Sequence, residues 1–344
     1  MTIPNVPELQ KSYLQGVVDL LPTPDELYPM FRFFPKRLKA GIEWKQDIKA
    51  SAMSAASVRP LDTETTAIQP AFLGKLECGP HHMGEHYVFT QKERQILRQP
   101  GSDMRVTREE TVTAASQLLR TRTDIRVHKD ICDALALGTI TVTDENGLTY
   151  TVTYPSQLIG TIANPGTWNA AAATIVQDVG TFKRAFKAAN GVLPNVCFYN
   201  SDIEEYFLKN TEFTGWVKAE TQSRSVQNFL EAQKATPGAM SWRWQGIEWV
   251  PVDAMYAPTE SAPTTMQSYW PKDTLVFART GIAGEQLFES WSADTDETDG
   301  TGGPTVESFV DTKVKGRYGV RCYRNHLPIV TLPYRCMRVA DVAP

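Results

Sequence analysis

Apolar residues recur at helical spacing through residues 107–138, with Val112, Ala115 and Leu119 forming one patch and Val127, Ile131 and Leu135 a second. A capping box, Thr107-x-x-Glu110, opens this stretch and Gly138 offers a natural stop. Between them roughly thirty residues without Pro or Gly would make a rod of about 45 Å at 1.5 Å per residue. Threonines at 111, 113, 121 and 123 lower helix propensity, so one continuous helix and a helix broken near 121–124 both fit. Arg120, Arg122, Arg126 and Lys129 cover the other faces, where they would be solvated, turned to a neighbouring subunit or set against phosphate.

The pattern changes at 139–154. Ile140, Val142, Leu148, Tyr150, Val152 and Tyr154 alternate with threonines at 139, 141, 143, 149, 151 and 153, and Asn146-Gly147 suits a two-residue type I′ turn. This predicts a hairpin with one buried face beside the long helix. Residues 41–50 also alternate, with Ile42, Trp44 and Ile48 on one side, and residues 86–90 are the expected return strand. The Ala-, Ser- and Thr-rich stretch between them has little to bury and reads as a long loop or a projecting hairpin.

Beyond Pro165-Gly166 helix and strand alternate. Ile175, Val179, Phe182, Phe186 and Ala189 share a helical face ending at Asn190-Gly191, residues 194–199 read as a buried strand, and Ser201-x-x-Glu204 is a second capping box. Trp242, Trp244, Gln245-Gly246, Ile247 and Trp249 predict another hairpin, followed by a strand at 274–278. That makes an α/β layer domain of about 120 residues. An acidic, Gly-rich loop at 292–304 precedes closing strands near 318–323 and 327–339. The first forty residues carry Pro at 4, 7, 22, 24, 29 and 35, which favours an extended arm with short helical turns. Leu20, Leu21, Leu27, Tyr28, Met30, Phe31, Phe33 and Phe34 are too apolar for a solvated tail and need a surface in this subunit or a neighbour.

At 344 residues and 42% hydrophobic content the chain can build two or three cores, which excludes wholesale disorder. No apolar run approaches the ~18 residues of a membrane span, and residues 1–21 lack an export signal. Five scattered cysteines, odd in number and never C-x-x-C, suit reduced thiols in a cytoplasm. Lys plus Arg total 35 against 39 Asp plus Glu, and a net charge of −4 gives no broad attraction to nucleic acid, so any DNA nearby is contained and not read.

Candidate chemistry is sparse. Cys78, His81, His82, Glu85 and His86 lie within nine residues, but their spacing matches no standard metal site. Asp294, Asp296, Glu297 and Asp299 near Gly300 do not place ligands as a calcium loop requires. Phosphate-binding glycine loops and nucleophile elbows are missing from the sequence, and His128 and His326 stand alone. Trp242, Trp244 and Trp249 read as core rather than as a stacking platform for bases. No catalytic, cofactor-binding or metal residue is assigned, so the reading is of a protein that is not an enzyme.

The order of parts, an apolar arm, a strand-flanked loop, a long helix with its hairpin, then an α/β domain, is that of tailed-phage shell proteins. Particular stretches resemble the lambda-like major capsid protein E family: Phe33-Phe34-Pro35, Glu109-Glu110, ALALGTITV at 134–142, Trp168 with the helix to Ala189, 194–199, 244–252, DTLVFARTGIAG at 273–284, and 327–342. The resemblance implies an α+β chain with the HK97-like capsid fold. Its parts would be an N-terminal arm (1–41), an extended E-loop (42–95), a P-domain with a long spine helix and β-hairpin (96–165), an α/β A-domain (166–285) and a return segment shared by both (286–344). It implies hexamers and pentamers closing an icosahedral shell around double-stranded DNA, in a phage or prophage virion assembled in the bacterial host cytoplasm. The implied partners are further copies of itself, a separate scaffolding protein, a portal and a decoration protein. Lys49 and Lys75 flank the loop without an identifiable Asn partner, so the shell is expected to be non-covalent. Two alternatives remain: an encapsulin-like nanocompartment shell, and a metal-dependent enzyme using the Cys78–His86 cluster.

Overall fold

A computed structural model describes residues 7–21, 27–41, 43–49, 72–98, 105–143, 149–154, 158–160, 167–170, 173–221, 241–257, 265–281, 287–294, 303–310 and 317–342. Its helices are α1 (Lys11–Leu20), α2 (Gln91–Arg98), α3 (Arg105–Ala136), α4 (Ile175–Asn190), α5 (Asp202–Lys209) and α6 (Thr211–Thr221). The strands run β1 (Lys36–Ala40), β2 (Trp44–Lys49), β3 (Phe72–Cys78), β4 (His81–Val88), β5 (Thr139–Thr143), β6 (Thr149–Thr153), β7 (Leu158–Gly160) and β8 (Val196–Tyr199). They continue with β9 (Trp242–Trp244), β10 (Ile247–Pro251), β11 (Met255–Tyr256), β12 (Gln267–Ser268), β13 (Leu275–Ala278), β14 (Phe288–Asp294), β15 (Thr305–Val310), β16 (Tyr318–Val330) and β17 (Cys336–Val339).

α3 is one unbroken helix of 32 residues. Its threonines are tolerated because hydroxyls turn back onto the helix, Thr111 Oγ1 donating to the Thr107 carbonyl at 2.8 Å and Thr123 Oγ1 to that of Arg120 at 2.8 Å. Helical structure begins at Arg105, so Thr107 lies inside the first turn and the expected capping box does not form. Gly138 ends the helix at φ 71°, the left-handed conformation that glycine adopts without a Cβ penalty.

Two sheets flank α3. The first has the order β1-β14-β16-β15 with β4 also on β16, so the 13-residue β16 pairs antiparallel with three strands. The second, β7-β17-β13-β8-β10-β9, places β8 and β10 parallel, with α5 and α6 in the crossover between them. Strand alternation splits this second sheet between two cores. Cys197, Tyr199, Leu275 and Phe277 point to a cluster with α4, α5 and α6, whereas Val196, Phe198, Val276 and Ala278 point to a central cluster with the second half of α3. Burial on both faces explains why β8 and β13 are unbroken apolar runs. A third cluster joins Val112, Ala115 and Leu119 of α3 to α1, β15 and β16. The helix therefore serves two different cores with its two apolar patches.

Several sequence expectations are corrected. Residues 8–21, the Pro-free window of the arm, hold the ten-residue α1, and the arm folds onto its own subunit: Leu9, Leu14, Val18, Tyr28, Met30 and Phe34 are buried, while of its described large apolar side chains Leu20 (86%), Leu27 (51%) and Leu38 (48%) are exposed. The partner of β2 is β3, Trp44 facing Cys78 and Lys49 facing Phe72, while β4, expected to return to β2, pairs with β16. Pairing over such separations is set by tertiary register that alternation alone does not carry. Strand β14 continues through Ser292 to Asp294, inside the expected acidic loop. The hairpin β5–β6 forms with Ile140, Val152 and Tyr154 buried and Thr141 facing Thr151, but Tyr150 is exposed. Thr143 pairs with Thr149, leaving five residues between, an odd number where a two-residue turn needs an even one; Asn146-Gly147 itself lies outside the described residues. By contrast Gln245 and Gly246 close the expected β9–β10 hairpin, and their φ values of 51° and 76° are those of a type I′ turn. Ser201 makes no side-chain cap; the first turn of α5 is held by Asn200 Oδ1 on the Asp202 amide (3.0 Å) and Asp253 Oδ1 on the Ser201 amide (2.7 Å). Pro165-Gly166 and most of the acidic loop lie outside the described residues.

Two isolated histidines are core residues. His128 sits among Tyr28, Phe31 and Tyr269, and burial pushes its pKa down to about 3. His326 is buried against Ser290 Oγ (3.0 Å), and burial followed by the nearby Arg324 holds it well below the usual imidazole range. Both are neutral when folded and protonate near pH 6.5 when unfolded, so their stabilising contribution is complete above that pH and is lost as pH falls. Carboxylates remain largely ionised between pH 6.5 and 5, so urea melts in that window should show a loss of roughly 1.4 kcal/mol per pH unit for each histidine. His128→Phe should remove one such increment from the slope; an unchanged slope would refute the assignment. A second test concerns Gly319, where a Cβ would overlap the Tyr87 carbonyl of β4 and press on the Phe309 ring at 2.9 Å. Gly319→Ala should cost about 1–3 kcal/mol or more in the same assay, because backbone rather than a side chain must move.

Candidate assembly surfaces

The residues singled out as a metal cluster are dispersed by strand period. His81 turns inward and its Nδ1 meets Asp130 Oδ2 at 2.9 Å, whereas His82 on the opposite face bonds Asn325 Oδ1 at 2.7 Å. Glu85 pairs with Arg122 at 2.7 Å and His86 stands edge-on to Phe309. Cys78 lies on β3, where burial pushes its thiol up to about 11. Among the described residues no three His, Cys, Asp or Glu side chains converge as metal ligands. Of the candidate calcium loop only Asp294 is described. Cys132, Cys197, Cys322 and Cys336 are buried free thiols, each raised by burial and so poor nucleophiles.

The basic stripe of α3 is partly exposed but paired with acids. Arg120, Arg126 and Lys129 pair one helical turn on with Asp124 (3.3 Å), Asp130 (3.0 Å) and Asp133 (2.5 Å), and Arg122 crosses to Glu85. Arg120 also donates through Nη1 to the carbonyls of Val18 and Leu21, clamping the C-terminal end of α1. At mid-helix Asp124 is buried and receives a second guanidinium, Arg324 Nη1 at 2.5 Å, itself 3% exposed. Sequence reasoning missed this pair: its partners stand 200 residues apart, and Tyr323-Arg324-Asn325-His326 reads as a polar break, not as a buried strand.

Seven of the eight tryptophans are buried and Trp216 is partly so, which leaves no exposed aromatic platform among them. Trp44 stands edge-on to Trp291 of β14, and with Leu76 it fixes the base of the β2–β3 ribbon in the central core. The far end, where the register shifts between Ile48 and Lys49, leads into residues 50–71, which lie outside the described residues. The large apolar side chains left exposed are scattered, Leu20, Leu27 and Leu38 near the arm, Leu118 on α3, and Met255 and Met266 near the β11–β12 pair. No helix among the described residues is long and apolar enough to cross a membrane.

The family described as phage major capsid protein E matches residues 49–340. Among solved structures, a protein assigned as the capsid protein of an E. coli CFT073 prophage aligns with TM-score 0.61 at 14% identity, covering 97% of this chain and 99% of its own. A phage-related protein from Bordetella bronchiseptica RB50 gives 0.57 at 12% identity over 99% of both chains, and the capsid of cyanophage A-1(L) gives 0.53 at 13% over 93% and 94%. No curated protein sequence matches the chain. These neighbours have the HK97-like fold, so the α+β chain described above has it too, and family and fold together point to a structural protein. The chain belongs to the phage major capsid protein E family.

Proposed function

We propose that many copies of this subunit assemble as hexamers and pentamers into a closed icosahedral shell that encloses double-stranded phage DNA without reading its sequence. The family match over 49–340 carries the reading. A separate scaffolding protein, a portal and a decoration protein are its partners, assembly takes place in the bacterial host cytoplasm, and the subunit turns over no substrate and holds no cofactor.

On this reading residues 1–41 are the arm, 42–95 the E-loop, 96–165 the P-domain, 166–285 the A-domain and 286–344 the return segment. The β2–β3 ribbon is the stem of the E-loop, and β4, though inside that interval, works in the central sheet with β16. Because the arm buries most of its apolar residues at home, the loop beyond Lys49, with exposed Leu20 and Leu27, is left to contact neighbours. Such contacts would need to reach the ~1,600 Å² of a standard interface, and repetition around rings multiplies weak contacts into a stable shell.

Replacing residues 51–68 by a short Gly-Ser linker should leave circular dichroism and melting nearly unchanged, since the described cores lie outside the replaced segment, yet abolish closed particles in electron micrographs. Normal shells from that variant would move the assembly contacts to the arm and domain faces. If the intact chain, expressed with its scaffolding protein, stays a monomer or small oligomer by light scattering, the proposal fails. Mature particles should run as a single subunit band on denaturing gels, because Lys75 is engaged with Glu77 at 2.7 Å and no Asn partner is evident; a ladder of heat-resistant multimers would show covalent locking.

A further inference from the structure

Where the arm, the middle of α3 and β16 meet, the subunit contains a cavity of about 300 Å³. Its apolar wall is Phe31, Phe34, Val127 and Ile131; its polar wall is Lys36, Arg120, Asp124, Ser290 and Arg324. Three cations therefore face one carboxylate. Asp124 is already divided between Arg120 Nε (3.3 Å) and Arg324 Nη1 (2.5 Å). Arg120 is further occupied by the carbonyls ending α1. Arg324 is 3% exposed and its Nε has no hydrogen-bond partner, while the Lys36 ammonium has neither a hydrogen bond nor an ion pair among the described residues. The other acidic group acting on Lys36 is Asp19, whose influence is weaker than that of Arg324, Asp124 or Arg120. Burial and then Arg324 hold the Lys36 pKa below the ordinary lysine value, as expected of a cation beside a guanidinium.

Three cations sharing one carboxylate leave positive charge in excess at the cavity wall, and an orphaned guanidinium N–H there calls for an acceptor. Planar guanidinium and ammonium donors on separate walls suit the several oxygens of a tetrahedral oxyanion better than the single contact of a halide. The cavity has room for such an ion with a few waters, each taking about 30 Å³. We propose that this cavity is an anion site, in which Arg324 and Lys36 bind a small tetrahedral oxyanion such as inorganic phosphate and so tie the arm to α3 and β16. This site belongs to the single subunit and does not depend on shell formation.

The test uses the full chain as dispersed subunits, melted in chloride and in increasing inorganic phosphate at fixed ionic strength. The melting temperature should rise saturably with phosphate, and hydrogen exchange at 31–40 should slow in the same titration. Lys36→Gln, which removes one of the crowded cations, should melt no lower than the parent in chloride yet need at least ten times more phosphate for the same shift. Arg324→Gln is the poorer probe, because it strips Asp124 of its closest partner. A shift that grows linearly with phosphate and is equal in Lys36→Gln is the general effect of an excluded salt and overturns the proposal, as does no shift at all.

Discussion

A buried carboxylate shared by two guanidinium groups is the joint of this subunit. Asp124 stands on α3 between the patch that serves the arm-side core and the patch that serves the central core, and it is bound from the same helix by Arg120 and from β16 by Arg324. Charge buried this way is a weak source of net stability, but removing one partner strands the other, so the geometry is strongly enforced. It sets the height and rotation at which the helix meets the sheet, which apolar patches sliding over each other would not do alone. Around it Arg120 holds the end of α1, and His81 with Asp130 fastens β4 one and a half turns further along.

The same joint explains why the basic residues of α3 leave little charge for a ligand. Each has an acidic partner, three of them at helical spacing on α3 itself, so in a shell this face would be rigid and close to neutral.

Local features of the fold were legible in the sequence. The two patches of α3, the stop at Gly138, the face of α4, the buried β8 and the Gln245-Gly246 turn each depend on neighbours within a few positions, where period and backbone preference decide. What misled was non-local. Thr107 and Ser201 have the residue types of a cap, yet at α5 the first turn is held by Asp253 from across the chain, together with Asn200 just before the helix. A strand was expected at 86–90, but β4 already begins at His81 and its partner was missed, since β4 finds β16 some 240 positions away and the ribbon partner of β2 is β3. Dispersal of the Cys78–His86 group could have been read from period two alone: neighbours along a strand face opposite ways. Nothing in the sequence pairs Asp124 with Arg324, because neither one charge among the many on α3 nor one in a polar tetrad announces burial.

The wiring of the first sheet also sets an order of events during synthesis. Lys36 of β1 faces Ser290 of β14, and His81 of β4 faces His326 of β16, so strands made early have no partner until nearly the whole chain has emerged. Contacts of such long sequence separation form late and slowly. Sheet two closes later still, through β17 and the bond from the Trp168 amide to the Val342 carbonyl at 2.8 Å. A nascent or truncated chain therefore lacks both completed sheets and leaves Asp124 without Arg324. The fold withholds both finished sheets until β16, β17 and Val342 are in place, a form of quality control exerted by topology alone.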